Sequence, residues 1–385
     1  MPAGELLRPL AAALDGSGPA VAPLDPALPQ ARLRLLLDEL APDAIQTVAG
    51  VTREGLAGGP PPGIGEDTAV VIVTSGSTGR PKGVELSADA LLHSARASLD
   101  RIGAVPGGRW LCCLPVSHVA GIQVLVRSLL AGTEPVVCDR LTPEVVATCG
   151  CDYVSLVPTQ LRRLVGDGAS LAPFVKILLG GAGAPARLLA AAAAAGGSVV
   201  TTYGMTETSG GCVYDGKPLD GVRVGIGPGG LIRIAGPVLF SGYRLQPGRT
   251  GDGWFTTADL GSIGPSGLLT VRGRADDVIN TGGEKVVGAE VAAALETFPA
   301  VREAVVVGRP DAEWGERVTA VVVPANPDMP PELGILREHV RRTLPASAAP
   351  RELVLMDELP LLPSGKPDLR ALRHPISKRR PDREQ

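Results

Sequence analysis

Residues Ala69–Gly83 read AVVIVTSGSTGRPKG. The opening run of alanine and β-branched aliphatics suits a buried strand, which we place at Ala69–Thr74. It leads directly into TSGSTGRPKG, Thr74–Gly83, and a helical pattern follows from Ser87. Gly76, Gly79 and Gly83 allow the backbone to approach an anion closely. Ser75, Ser77 and Thr78 add hydroxyl donors and Lys82 adds a point charge, which together suit a polyphosphate. The segment is not a Walker loop, because Lys82 is followed by Gly83 rather than by Ser or Thr. A solvated surface loop could have the same composition, so the loop alone leaves both readings open.

Outward from this loop, short β-branched runs alternate with amphipathic ones. Strands are expected at Trp110–Leu114, Pro135–Cys138, Tyr153–Val157, Val175–Leu179 and Val199–Tyr203. Helices are expected at Ala88–Ile102, Ile122–Leu130, Thr159–Val165 and Ala186–Ala195. This alternation predicts βαβ units and a mainly parallel sheet, whose strand carboxyl ends would carry the site. Upstream, residues 1–66 are Pro- and Ala-rich with a helical pattern at Ala31–Leu40. After Gly221 shorter β pieces follow at Leu231–Ala235 and Leu268–Arg272. From Ala275 the pattern changes again, with helices at Gly288–Phe298 and Leu333–Thr343 and strands at Ala304–Val307, Val318–Val323 and Leu353–Met356. The expected fold is α/β. A large N-terminal domain (residues 1–274) has mainly parallel sheets with helices and a β-rich subdomain. A small α+β domain of ~100 residues follows at 275–375, and residues 376–385 form a charged, disordered tail.

Composition narrows the function. A chain of 385 residues is long for one domain. A net charge of −3 gives no pull toward nucleic acid or an anionic membrane, and 3% aromatic residues leave little for base stacking. The six cysteines, Cys112, Cys113, Cys138, Cys149, Cys151 and Cys212, include no CxxC pair and lie mostly in apolar runs, as buried reduced thiols do. Glu5 and the lack of a basic cluster argue against a secretory leader. No segment has the ~18 unbroken apolar residues of a membrane span. A cytoplasmic location is expected.

TSGSTGRPKGV matches, over eleven residues, the signature of the adenylate-forming superfamily of acyl-CoA ligases, luciferases and peptide-synthetase adenylation domains. The chain resembles that family from about Ala69 to Ala371, with a shortened first subdomain. The resemblance implies that Thr74, Ser75, Gly76, Ser77, Thr78, Gly79 and Lys82 hold the ATP phosphates. VTTYGMTE at Val200–Glu207 is similar to the family's adenylate turn. It implies Tyr203 stacking on adenine, Thr206 at the α-phosphate and Glu207 on Mg²⁺. GGAG at Gly180–Gly183 implies an adenine wall that includes Gly181 and Ala182. TTAD at Thr256–Asp259 implies that Asp259 holds the ribose hydroxyls. RGRADD at Arg272–Asp277 implies Arg274 at the ribose and Asp276 as a hinge. LLPSGKP at Leu361–Pro367 implies Lys366 as the catalytic lysine. Gly282 and Gly283 are implied at the CoA channel, brought there as a mobile small domain rotates. ATP and CoA are then co-substrates, Mg²⁺ the cofactor and a small carboxylic acid the partner. A homodimer is compatible with this, and neither nucleic acid nor membrane insertion is expected.

The acid is read from LPVSHVAGIQVLVRSLL, Leu114–Leu130. His118 falls at the family's gate between acyl pocket and nucleotide. Arg127 interrupts an apolar helix, and a buried guanidinium is costly without an anion. Gln123 lies one turn away on the same face. A second carboxylate on the substrate would suit this pair; an internal bridge to Glu134 or Asp139 is the alternative. The segment resembles the o-succinylbenzoate–CoA ligases of menaquinone biosynthesis, which implies that Arg127 holds the carboxylate that is not activated. Other aryl- or acyl-CoA ligases, enzymes that load carrier proteins, and a non-catalytic nucleotide-binding scaffold remain as alternatives.

Overall fold

The computed structural model describes residues 3–47, 50–52, 63–75, 81–246, 252–362 and 365–374. The expected tail at 376–385 and most of the phosphate loop, 76–80, lie outside them. The chain divides into two compact units: residues 1–225 with 233–255, and residues 226–232 with 256–385.

The first unit is built on a seven-stranded sheet. Its order is Lys217–Pro218, Gly210–Tyr214, Val199–Met205, Lys176–Leu179, Tyr153–Leu156, Trp110–Cys112 and Val136–Val137. The five strands from Val199–Met205 to Val136–Val137 run parallel, while Gly210–Tyr214 returns antiparallel. Tyr153–Leu156 is buried along its whole length, as a central parallel strand covered on both faces must be. Leu111, Val154, Leu156, Leu161, Leu171, Ile177 and Leu179 form one core. The helix Ala88–Ile102 shows how sequence sets the boundaries. The Ser87 hydroxyl accepts from the amide of Ala90 at 3.1 Å, and Gly103 ends the helix at φ 65°.

The strand that leads into the phosphate loop departs from its expected place. Thr68–Ser75 does not join the parallel sheet but pairs antiparallel with Pro81–Ser87, with Gly242–Tyr243 as third strand. The phosphate loop therefore closes a hairpin, with Thr74 opposite Lys82 and Ser75 opposite Pro81. An apolar β-branched run marks a buried strand whichever way its neighbour points. The alternation in PKGVELS, short and opened by proline, gave no separate signal of a strand. The helix Ala3–Leu14 and the strand Trp254–Ile263 are further elements beyond those expected from the sequence.

The second unit contains a sheet in the order Glu284–Val287, Val278–Thr281, Gly315–Pro324, Val301–Asp311, with Glu352–Leu355 running parallel to Gly315–Pro324. Its two long strands, Val301–Asp311 and Gly315–Pro324, are buried on both faces over most of their length. Ala304 and Val306 pack with Val291, Leu295, Leu336 and Val340 of the helices Gly288–Glu296 and Leu333–Arg341. Val305, Val307 and Val321 face the other way, onto Leu372 of the short helix Leu369–Arg373. Arg309 fastens that helix. It is 6% exposed, meets Glu352 Oε1 at 3.0 Å, and donates to the carbonyls of Leu372 at 2.9 Å and His374 at 3.3 Å. Arg309→Met should cost about 3 kcal/mol, the lower end for a broken buried pair, because Glu352 is partly exposed. Hydrogen exchange would show it as lost protection in Leu369–Arg373; unchanged protection would contradict it.

Candidate active site

In the first unit, the adenylate-like turn follows the strand Val199–Met205 as a single 3₁₀ turn, Thr206–Thr208. Thr208 shapes it: its hydroxyl accepts from the Met205 amide at 2.9 Å and donates to the Gly210 carbonyl at 2.7 Å. Ser209 then takes φ 53°, and its hydroxyl donates to the Val238 carbonyl at 2.9 Å. Glu207 is held by two further bonds: its carbonyl accepts from the Phe240 amide at 3.0 Å, and its Oε1 accepts from the Tyr243 hydroxyl at 3.0 Å. Burial, and after it the Glu207 carboxylate, keeps the Tyr243 phenol protonated far above its usual range. The Lys82 ammonium lies 5.0 Å from the centre of the same Tyr243 ring.

Tyr203, half-buried, stands two residues before the end of the strand, and Thr206 begins the turn. Neighbouring Gly180 admits no side chain, since a Cβ there would collide with Thr202 Oγ1. Gly181 adopts φ 83°, with Ala182 beside it after the strand Lys176–Leu179. Among the phosphate-loop residues, Thr74, the strand end Ser75 and Lys82 are placed by the hairpin. Gly76, Ser77, Thr78 and Gly79 lie outside the described residues.

The acid-reading segment is the helix Val119–Ala131, with exposed His118 at its N-cap. Every residue from Gly121 to Ser128 is buried. Gly121 has no room for a Cβ, which would strike the Pro115 carbonyl. Arg127 is 5% exposed. Its Nε donates to the Gln123 carbonyl at 2.9 Å, its Nη1 donates to Ser155 Oγ at 3.3 Å, and its guanidinium carbon lies 4.4 Å from the Trp110 ring centre. Burial lowers its pKa, opposed by the charges of Tyr214 and Cys112. Among the described residues no carboxylate pairs with it. Glu134 and Asp139 are exposed and take no part, so the internal bridge is not formed.

Gln123 requires a correction. Its side-chain amide donates to the carbonyls of Ser209 at 2.8 Å and Leu91 at 3.3 Å. Only its acceptor oxygen is left, and that would repel a carboxylate. Gln123 instead ties the helix Val119–Ala131 to Ser209, just past the turn Thr206–Thr208. Ser155 and Trp110 carry no sequence signal of this role, because a serine and a tryptophan inside apolar strands make no pattern of their own.

In the second unit, Asp259 and Arg274 are register partners on adjacent antiparallel strands, 3.6 Å apart. Arg274 also grips Asp276 with two bonds of 2.8 Å, and these hold the Asp276 carboxyl below its usual range. Lys366 sits in a turn closed by the Leu361–Pro367 bridge, where its carbonyl accepts from the Leu362 amide at 2.8 Å. Although it keeps solvent exposure, desolvation and then the Arg274 charge hold its ammonium below the ordinary lysine range, against the pull of Asp259. Gly282 and Gly283 form the two-residue turn between Val278–Thr281 and Glu284–Val287, both with positive φ. A Cβ on Gly282 would come within 2.7 Å of Trp314.

Nothing in this arrangement needs a covalent nucleophile. Burial pushes the Cys112 thiol up to about 11 and that of Cys212 up to about 12. Nor do the described residues contain a cluster of three or more metal-ligating side chains. A single carboxylate steadied by a phenol fits Mg²⁺, which takes one or two protein carboxylates and completes its shell with phosphates and water.

The family model for AMP-binding enzymes matches residues 18–244, and that for their C-terminal domain matches 290–366. The chain belongs to the AMP-binding enzyme family. Within this family it is 46% identical over 326 residues to a Mycobacterium tuberculosis protein named a probable 2-succinylbenzoate–CoA ligase, covering 80% of this chain and 85% of the relative. Among solved structures it resembles o-succinylbenzoate CoA synthetase (MenE) from Bacillus subtilis. The complex with the acyl-adenylate intermediate OSB-AMP has a TM-score of 0.71 at 30% identity, covering 80% of this chain and 69% of that one. The complex with ATP and magnesium ion has a TM-score of 0.69, also at 30% identity, covering 80% and 70%. An arginine-to-lysine variant of E. coli MenE with bound OSB-AMS has a TM-score of 0.76 at 29% identity, covering 93% and 82%. These likenesses support the α/β assignment and the AMP-binding architecture. No helix among the described residues is long and apolar enough to cross a membrane.

Proposed function

We propose that this AMP-binding enzyme is a 2-succinylbenzoate–CoA ligase of menaquinone biosynthesis, acting in the cytoplasm, where its six thiols stay reduced. The observation that carries the substrate is Arg127, a guanidinium 5% exposed with no carboxylate partner among the described residues. A dicarboxylate can supply the missing anion while its other carboxylate reacts. The 46% identical M. tuberculosis relative bears the same name.

In the first half-reaction a substrate carboxylate oxygen attacks the α-phosphorus of ATP. The bond to the β-phosphate bridging oxygen breaks, giving acyl-AMP and pyrophosphate. Thr74, Ser75, Gly76, Ser77, Thr78, Gly79 and Lys82 cradle the phosphates, and Thr206 touches the α-phosphate. Glu207 would hold Mg²⁺, which supplies charge neutralisation. Tyr203, Gly181 and Ala182 bind adenine, and Asp259 with Arg274 binds the ribose. Lys366 neutralises charge developing on the transferred phosphoryl group. In the second half-reaction the CoA thiol, reaching past Gly282 and Gly283, attacks the acyl carbon and AMP leaves. His118 lies between the two substrates, and Asp276, clasped by Arg274, acts as the hinge.

A CoA-thioester assay should show turnover with 2-succinylbenzoate, and far less with benzoate and fatty acids. Equal turnover of the monocarboxylates would overturn the substrate. No pyrophosphate exchange with any acid would favour a scaffold instead.

A further inference from the structure

Tyr243 lies outside the motifs quoted above, yet it touches both charged groups of the phosphate side. Its hydroxyl donates to Glu207 Oε1 at 3.0 Å, and the Lys82 ammonium lies 5.0 Å from its ring centre. Phe240 packs against it with ring centres 4.9 Å apart, and the Phe240 amide donates to the Glu207 carbonyl at 3.0 Å. Lys82 and Glu207 carry opposite charges, but among the described residues they form no ion pair with each other. If they met, each would neutralise the other, and neither would be free for a phosphate or a cation.

We propose that Tyr243 is a positioning residue that keeps Lys82 and Glu207 apart and separately ready for MgATP. The negative face of the ring gives the ammonium an alternative resting place. The phenolic proton occupies one oxygen of Glu207 and orients the other, as groups supporting a metal ligand do. Tyrosine can do both because one rigid side chain carries an aromatic face and a polar tip, here turned to Lys82 on the strand Pro81–Ser87 and to Glu207 in the turn Thr206–Thr208. This inference rests on reading Glu207 as the magnesium carboxylate and Lys82 as a phosphate cation.

The test separates the two ends of the side chain. Tyr243→Phe keeps the ring and removes the proton donor, whereas Tyr243→Leu removes both. Calorimetric titration of ATP at stepped Mg²⁺ should show Tyr243→Phe needing about ten-fold more Mg²⁺ for half its maximal ATP affinity. Its Mg²⁺-free ATP affinity and melting temperature should stay at wild-type values. Tyr243→Leu should also weaken Mg²⁺-free binding, because Lys82 is released to pair with Glu207. Adding Glu207→Gln to Tyr243→Leu should restore that binding. Unchanged Mg²⁺ dependence in Tyr243→Phe, or no restoration in the double variant, overturns the proposal. If Glu207→Gln by itself leaves Mg²⁺ dependence unaltered, the reading of Glu207 falls, and this inference with it. If Glu207→Gln shifts the dependence and Tyr243→Phe does not, only the inference falls.

Discussion

Replacing Lys366 by alanine should slow acyl-adenylate formation about 10²–10³-fold, the effect of deleting one preorganised donor to a developing anion. The charge that develops on the transferred phosphoryl group is what an ammonium stabilises, and it exists only in the first half-reaction. Thioester formation from preformed acyl-adenylate should therefore change little. Separate single-turnover assays of the two halves would check this, and equal losses in both would refute the assignment. A pH profile adds an independent readout. Desolvation, and after it Arg274, hold the Lys366 ammonium below the ordinary lysine range, so its proton is lost earlier as pH rises. Adenylation should accordingly decline on the alkaline side before a free lysine would titrate. Lys366→Arg keeps its charge at every accessible pH, so any residual activity should lack that alkaline limb.

Arg127→Ala should lower kcat/KM for 2-succinylbenzoate by roughly 30-fold to several thousand-fold. This is the range for truncating one member of a buried, hydrogen-bonded charge pair, ~2–5 kcal/mol. The loss should fall on the acid: ATP affinity, measured without acid, should remain near wild type, since Arg127 contacts Gln123, Ser155 and Trp110. Discrimination against benzoate should shrink, because a substrate with one carboxylate never used the guanidinium. Arg127→Lys should recover little, for a lysine lacks the planar fork that donates to Gln123 and Ser155 while stacking on Trp110. An unaltered kcat/KM in Arg127→Ala would remove the basis for a dicarboxylate substrate.

How much of the site could be read beforehand depended on the kind of signal. Arg127 was legible because a charge inside an apolar helix breaks a periodic pattern, and burial there has a physical cost that calls for a partner. Gln123 was misread from the same helix. Its spacing put it on the Arg127 face, but spacing cannot say which carbonyls a side-chain amide will meet. Only the fold brings Ser209 and Leu91 within 2.8 and 3.3 Å of it. The strand before the phosphate loop failed for a related reason. Ala69–Thr74 announced burial, while the direction of its neighbour depended on Pro81–Ser87 folding back onto it.

By itself, then, the sequence determined the alternation that makes a mainly parallel sheet and the glycine- and hydroxyl-rich loop. It also determined the family's motifs, which are carried by contiguous residues and local backbone freedom. The tertiary structure alone decided what lies more than a few residues apart. It set Ser155 and Trp110 about the Arg127 guanidinium, clasped Asp259, Arg274 and Asp276 together, and placed Tyr243 between Lys82 and Glu207. Such contacts join side chains separated by up to 161 positions, Lys82 to Tyr243. Their formation rests on packing and strand register, and neither leaves a mark on the local pattern of residues.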